Sequence, residues 1–291
     1  MFKDKKKIFL VISKMKLLIF SDLDGTFMNH DDYSYCILKD FVSKIKNKHQ
    51  IIFNSSKTFS EIIRINEDLK INFPFIIENG ASIFFPKGYS VDNSSDYNLK
   101  NYQGYLCHAI AKKSINFWYE NICKIRRKFD FNFFFFRELS DIKLQQLTGL
   151  EHKKIEDARD RLFSEPLYWN DTEQNLDLFV KKLKPLGGVI NIGGRFVHVT
   201  DGYNKGVAIK EFLNLIKINK NIKSFISVSL GDSHNDVSML ELTDYSYIIK
   251  TKKKKNLYLK KKKNLYHSKS IAPLGWRESI NHVLNKEKLY F

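Results

Sequence analysis

A chain of 291 residues, 43% of them hydrophobic, can bury a sizeable core and is long enough for two unequal domains. It contains no apolar stretch near the roughly 20 residues that span a bilayer, so a soluble protein without a membrane partner is expected. The formal charge of +17 raises the idea of a polyanion partner, but eight lysines fall in two runs, Lys252 to Lys255 and Lys260 to Lys263, and removing them takes the balance from +17 to +9. Such runs read as solvated loops, and no nucleic-acid partner is expected.

The opening MFKDKKKIFLVISKMK puts charge ahead of a short apolar run that Lys14 and Lys16 interrupt, with no small-residue cleavage site. Residues 1–15 read as an extension rather than a signal peptide. From Leu17 the run LLIF ends in SDLDGT, the pattern of a buried parallel strand with carboxylates at its carboxyl end. A helix is expected around Ile37 to Ile45, then a strand IIF at 51–53 running into NSSKT. Thr58 and Glu61 have capping-box spacing ahead of FSEIIRINEDLK. The run FPFII leads into Glu78, Asn79 and Gly80, a tight turn into the strand ASIFF.

After Pro86 the rhythm changes to the aromatic KFDFNFFFF, a charged helix with Ile155, Ala158, Leu162 and Phe163 on one face, SEPLYW, a helix over 175–183 and the hairpin GVINI…RFVHVT. The strand–helix rhythm then resumes with the helix after Asn204-Lys205-Gly206, the strand SFISVSL, the loop GDSHND and a last helix. The expected fold is α/β: a doubly wound parallel-sheet core over 16–86 and 199–291, with an inserted α+β cap over 87–198. Cys36, Cys107 and Cys123 are odd in number and lack metal-pair spacing, so they read as reduced thiols of a cytoplasmic protein.

Asp22 and Asp24 stand two apart at the end of a buried strand, where paired acids invite a metal. A carboxylate attacks a dianionic phosphate poorly unless Mg²⁺ neutralises the phosphoryl oxygens. Asp232 and Asp236, after another strand, supply the oxygen ligands that Mg²⁺ favours. DLDGT, a strand ending in Ser, a lysine opening a helix and GDSHND follow in that order at matching strand ends.

In these motifs the chain resembles the haloacid dehalogenase superfamily, whose first motif is DxDGT and fourth GDxxND. The resemblance implies Asp22 as nucleophile and Asp24 as general acid to the leaving oxygen, then base for water. It implies Asp232 as magnesium ligand with Asp22 and the backbone carbonyl of Asp24, supported by Asn235 and Asp236. Lys205 matches the lysine that pairs with phosphate and nucleophile, and Ser55 the phosphate-binding hydroxyl, with Ser56 the alternative.

NSSKT, PFIIENGASIFFP, LTGL, EDARDRLFSEPLYW and GGRFVHV together resemble the mannosyl-3-phosphoglycerate phosphatase family, of type IIB, from about Lys16 to about Glu241. Beyond Ile249 the lysine-rich loop departs from the pattern. The substrate this implies is a small phosphorylated sugar, mannosyl-3-phosphoglycerate, dephosphorylated to the compatible solute mannosylglycerate. The glucosyl compound or another sugar phosphate is the alternative, with a phosphosugar mutase and a basic binding module as rivals. Such a substrate carries a carboxylate, for which Arg159, Arg161 and Arg195 are candidates, although helical spacing keeps Arg159 and Arg161 off one face. Glu165 and Asn79 are candidates for sugar hydroxyls. His198, on an alternating strand, and His234 receive no role, and oligomeric state is left open.

Overall fold

The computed structural model describes residues 17–91, 97–193, 195–216, 225–252 and 256–289. The expected extension 1–15 and lysines 253–255 lie outside the described residues. In chain order, β1 (Leu17–Ser21) is buried along its length, as is β2 (Gln50–Phe53), with α1 (Lys39–Ile45) between them. The capping box forms: the Thr58 N–H donates to Glu61 at 2.9 Å and the Glu61 N–H to Thr58 Oγ1 at 3.2 Å, opening α2 (Phe59–Asp68).

There follow β3 (Phe75–Ile77), β4 (Ser82–Phe85), β5 (Leu99–Tyr102) and β6 (Tyr105–Ala109). Next come α3 (Ile115–Phe129), β7 (Phe133–Phe135), α4 (Asp141–Thr148), α5 (His152–Arg159), β8 (Glu165–Trp169), α6 (Glu173–Leu183), β9 (Val189–Gly193) and β10 (Phe196–Thr200). The last part holds α7 (Lys205–Ile216), β11 (Ile226–Gly231), α8 (Val237–Leu240), β12 (Tyr245–Lys250), β13 (Leu265–Ile271) and α9 (Leu274–Lys286).

The chain divides into two compact units, one of 1–56, 64–109 and 204–291, the other of 57–63 and 110–203. In the first, a five-stranded sheet runs β13-β12-β11-β1-β2 with every pairing parallel. Because β2 lies on one side of β1 and β11 on the other, the winding reverses beside β1, and ligands of such sheets gather outside the carboxyl ends there. Phe27 packs edge-on against Phe53 and Trp276, each at 5.0 Å, and the Trp276 indole N–H donates to Ser21 Oγ at 2.9 Å. Burial of each such ring contributes about 1.5–3 kcal/mol, and it fastens α9 beneath the end of β1.

The first unit also carries an antiparallel sheet, β3-β4-β6-β5. Its strands β5 and β6 were expected in the insertion over 87–198; pairing with β4 (Phe84 opposite Cys107) places 99–109 in the first unit instead.

The second unit is a four-stranded antiparallel sheet, β7-β8-β10-β9, with α3 and α6 against one face. Phe131, Phe133 and Phe135 alternate inward to join Trp118, Ile122, Leu167, Phe179, Leu183, Val197 and Val199, so the aromatic run is core packing. The helix expected to carry Leu162 and Phe163 stops earlier: Asp160 leaves helical geometry at ψ 60, ending α5 at Arg159.

Candidate active site

Asp22 follows β1, and Asp232 and Asp236 belong to the loop that follows β11. Backbone bonds from Asp22 N–H to Leu230 O (3.0 Å) and from Asn54 N–H to Ser21 O (2.8 Å) tie the strand ends together. Asp24 is half-buried, in a short bridge with Met28. Gly25 adopts φ +79°, and a Cβ there would stand 3.0 Å from the Asp232 carboxylate, so glycine lets the turn approach that acid.

Lys205 is the centre of the site. Its ammonium donates to Asp22 Oδ1 and to Asp236 Oδ1, both at 2.6 Å, and none of the side chain is exposed. Asn204 caps α7, its Oδ1 accepting from the N–H groups of Gly206 and Val207 at 3.0 Å each, which holds Lys205 in the first turn. The Asn54 amide donates to the Lys205 carbonyl at 3.1 Å. Asp236 is anchored on its other oxygen by the N–H groups of Asp232 and Ser233, both at 2.9 Å.

Asp22, Asp232 and Asp236 are all buried, and each offers an oxygen within 4.8 Å of the others. Burial pushes the Asp22 carboxyl up to about 8; Lys205 opposes this, and Asp236, Asp232 and Asp24 add to it. Burial works to lower Lys205, but the two carboxylates beside it outweigh that and hold it above the ordinary lysine range. Two carboxylates, Asp22 and Asp236, converge on one ammonium, and Asp232 and Asp24 add their charge at Asp22. A hard oxygen donor set with that negative excess suits a divalent cation, which would let Asp22 ionise.

The turn between β3 and β4 braces this arrangement. Glu78, Asn79 and Gly80 all have positive φ (47°, 61° and 101°), and a Cβ on Gly80 would lie 2.4 Å from the Asn204 carbonyl. Asn79 N–H donates to the Ser55 carbonyl at 2.8 Å, and Asn79 Oδ1 accepts from the Asn235 amide at 2.9 Å. Asn235 also accepts from Ser233 Oγ. Asn79 and Asn235 thus join the turn to the acidic loop, whereas Asn79 was expected at a sugar. Ser55 is fully buried, its N–H donating to Ile76 O at 3.2 Å, and Ser56 is half-buried. Sequence reasoning missed Asn54 and the capping role of Asn204; a polar residue directly after a buried strand or before the lysine's helix was the available signal.

In the second unit, three residues expected at a ligand have protein partners. Arg159 pairs with Asp141 (2.6 Å) and Glu156 (2.5 Å) and donates to Leu139 O at 2.7 Å. Glu165, 1% exposed, accepts from Arg137 at 2.9 Å, and Arg137 lies over the Tyr119 ring of α3. Arg195 donates to the carbonyls of Gln146 (2.9 Å) and Leu147 (2.6 Å), near the end of α4. In the structure the polar atoms of Arg159, Glu165 and Arg195 hold this unit's own turns and helices. Arg161 is half-buried and donates from Nε and a terminal nitrogen to Ser164 Oγ at 3.1 and 2.9 Å.

The sequence profile of the haloacid dehalogenase-like hydrolases matches residues 19–262. A glucosyl-3-phosphoglycerate/mannosyl-3-phosphoglycerate phosphatase of Persephonella marina is 33% identical over 275 residues, covering 93% of this chain and 98% of the relative. One from Methanococcoides burtonii is 28% identical over 274 residues, covering 94% and 98%. Among solved structures, a haloacid dehalogenase-like hydrolase from Bacteroides thetaiotaomicron superposes with TM-score 0.60 at 13% identity, covering 94% of this chain and 99% of that one. A sugar phosphatase of subclass IIB does so with TM-score 0.58 at 14% identity, covering 95% and 100%. Likeness at these identities speaks for the fold alone. Among the described residues, no helix is long and apolar enough to cross a membrane.

Proposed function

This chain belongs to the haloacid dehalogenase-like hydrolase family, and from that premise we propose that it is a phosphoric monoester hydrolase acting on mannosyl-3-phosphoglycerate, with the glucosyl compound as alternative substrate. The observation that carries the reading is the buried cluster of Asp22, Asp232 and Asp236 around Lys205. The names of the two relatives support the substrate.

Asp22 and Asp232 would hold Mg²⁺, which when bound neutralises phosphoryl oxygens and lowers the repulsion facing an incoming carboxylate. Lys205 holds one oxygen of Asp22 and fixes the direction of the other. That second oxygen attacks phosphorus; its new bond forms as the ester bond to the glycerate oxygen breaks, leaving an aspartyl-phosphate. Asp24 gives its proton to the departing oxygen. It then takes a proton from the water that attacks phosphorus, and the bond to Asp22 breaks to release inorganic phosphate. Asp236 places Lys205 and the loop's backbone, and Asn235 with Asn79 steadies that loop. Ser55, or Ser56 beside it, donates a hydroxyl to the phosphate, next to the positive field of the lysine. Cys36, Cys107 and Cys123 are free thiols, which supports a cytoplasmic protein.

The test is phosphate release from mannosyl-3-phosphoglycerate and glucosyl-3-phosphoglycerate, with and without Mg²⁺, beside simple hexose phosphates. Metal-dependent preference for a hexosyl-3-phosphoglycerate is the expected result. Equal activity on simple hexose phosphates would remove the substrate assignment and keep the chemistry.

A further inference from the structure

Successive residues of β1 point to opposite faces of the five-stranded sheet, and the two faces meet different helices. Phe20 packs edge-on against Phe212 of α7 at 5.5 Å, whereas Ser21, fully buried, meets Trp276 of α9. Asp22 continues the alternation, its carboxylate held by Lys205, the first residue of α7. Ser21 carries the one polar side chain of β1, LLIFS, and no step of the reaction uses its hydroxyl.

That hydroxyl makes two bonds. It donates to the Asp22 carbonyl at 2.7 Å and accepts from the Trp276 indole N–H at 2.9 Å. A hydroxyl has a single proton and an indole N–H can only donate, so the indole occupies a lone pair of Ser21 Oγ and leaves the proton aimed at the Asp22 carbonyl. In a dry interior, bonds in series strengthen one another. The Asp22 N–H meanwhile donates to Leu230 O at 3.0 Å. Both backbone polar groups of Asp22 are therefore held, one from β11 and one from α9 through Ser21, while Lys205 holds one carboxylate oxygen.

Trp276 is itself fixed. A Cβ on Gly275 would stand 2.3 Å from the Ser270 carbonyl and 2.8 Å from Ser268 Oγ, so glycine lets the first turn of α9 lie directly against β13. The indole, fully buried, meets Phe27 and Phe41 edge-on at 5.0 and 6.1 Å. Phe27 belongs to the turn that follows Asp24, its N–H donating to Leu23 O at 3.0 Å. One indole thus touches both the residue before Asp22 and the turn after Asp24.

We propose that Ser21 and Trp276 are positioning residues for phosphoryl transfer: indole N–H and hydroxyl form a relay from α9 that fixes the peptide carrying Asp22, and with it the direction in which the free carboxylate oxygen meets phosphorus. The relay acts through Asp22 alone. It rests on the reading of Asp22 as nucleophile and holds whichever sugar phosphate is the substrate. Misplacing a reacting atom by about 1 Å can lower a rate on the order of a hundredfold; loosening one restraint with Lys205 kept should lower it about tenfold.

Ser21→Ala, Trp276→Phe and the double variant are compared with the unchanged protein on p-nitrophenyl phosphate and the preferred hexosyl-3-phosphoglycerate at saturating Mg²⁺. Assays run about 20 °C below the lowest Tm of the set, so that every variant is folded. Ser21→Ala should lower kcat about tenfold on both substrates with KM within about twofold, the pattern of an interaction that matters in the transition state. Trp276→Phe keeps a ring against Phe27 and Phe41 and lacks the N–H; it should lower kcat about threefold, because the hydroxyl stays but its proton is no longer directed. The double variant should fall no further than Ser21→Ala, since without the hydroxyl the indole has nothing to act through. Unchanged kcat in Ser21→Ala, a change confined to Tm, or a double loss equal to the product of the single losses overturns the relay. If Ser21→Ala does not fold, Trp276→Phe decides alone. If Asp22 of the unchanged protein is never phosphorylated during turnover, the nucleophile reading fails and the relay with it; a phosphorylated Asp22 with kcat indifferent to Ser21 fails the relay alone.

Discussion

Replacing Lys205 by Met keeps most of the aliphatic stem and removes the ammonium that contacts Asp22 and Asp236 at 2.6 Å each. Both carboxylates stay buried, at 5% and 0% exposure, with no other cation among the charged groups that raise or lower Asp22. Asp22 is already pushed up to about 8 with the lysine present, so the charge stranded by its loss is the second carboxylate of the pair, which escapes by binding a proton. Against an ordinary aspartate value near 3.9 and at about 1.36 kcal/mol per unit, that costs about 4 kcal/mol at pH 7 and about 2 kcal/mol at pH 5.5. The larger figure agrees with the roughly 3–5 kcal/mol for breaking a buried pair from one side. In thermal unfolding of the metal-free protein, the variant should melt on the order of 10 °C lower at pH 7, with a smaller gap at pH 5.5. Turnover should fall at least about a hundredfold, because the group that opposes phosphoryl charge is gone. Equal melting temperatures at pH 7, or a gap that widens on acidification, would refute the reasoning.

Gly80→Ala should destabilise the protein by more than about 2 kcal/mol in denaturant titration and depress phosphate release, since a Cβ would meet the Asn204 carbonyl at 2.4 Å at φ +101°. Asn235→Ala should weaken Mg²⁺ activation by about 10- to 100-fold with kcat nearly kept at saturating metal, because it frees the acidic loop from Asn79; unchanged Mg²⁺ dependence would argue against the brace. For His198 the imidazole's folded value of about 3 lies below its unfolded 6.5, so between those limits the unfolded chain binds more protons and stability falls as pH falls. From pH 7 to pH 5.5 that loss is about 1.3 kcal/mol; it should be absent from His198→Leu and appear as the pH dependence of the stability difference between the two proteins, followed by denaturant titration at each pH.

The parts of the fold that were legible rest on uninterrupted apolar runs. LLIF, IIF and FPFII became β1, β2 and β3, and Asp22, directly behind the first run, reached the cluster because a strand end fixes where the next residue points. The boundary of the insertion was not legible. Strand β5 is LKNY, half-exposed and without an apolar run, and it exists by pairing with β6 across Gln103-Gly104, both at positive φ (47° and 85°). Leu162 and Phe163 continue the helical spacing of α5, yet backbone geometry at Asp160 ends the helix first. Charge alone made Arg159 and Arg195 attractive for a carboxylate; their partners are acids and carbonyls brought close only by the fold. Lys205 was picked from its setting before Gly206, but its complete burial between two aspartates is visible only in three dimensions.

The most direct test of aspartyl-phosphate chemistry at Asp22 is to quench turnover of the preferred hexosyl-3-phosphoglycerate with borohydride, which reduces an acyl phosphate to an alcohol, and to map the product by peptide mass spectrometry. Homoserine at position 22, present only with substrate and Mg²⁺ and absent in Asp22→Asn, is the expected result. Reduction at position 24 or at another carboxylate, or substrate-dependent turnover that leaves position 22 unmodified under every quench, would contradict the assignment of Asp22 as nucleophile.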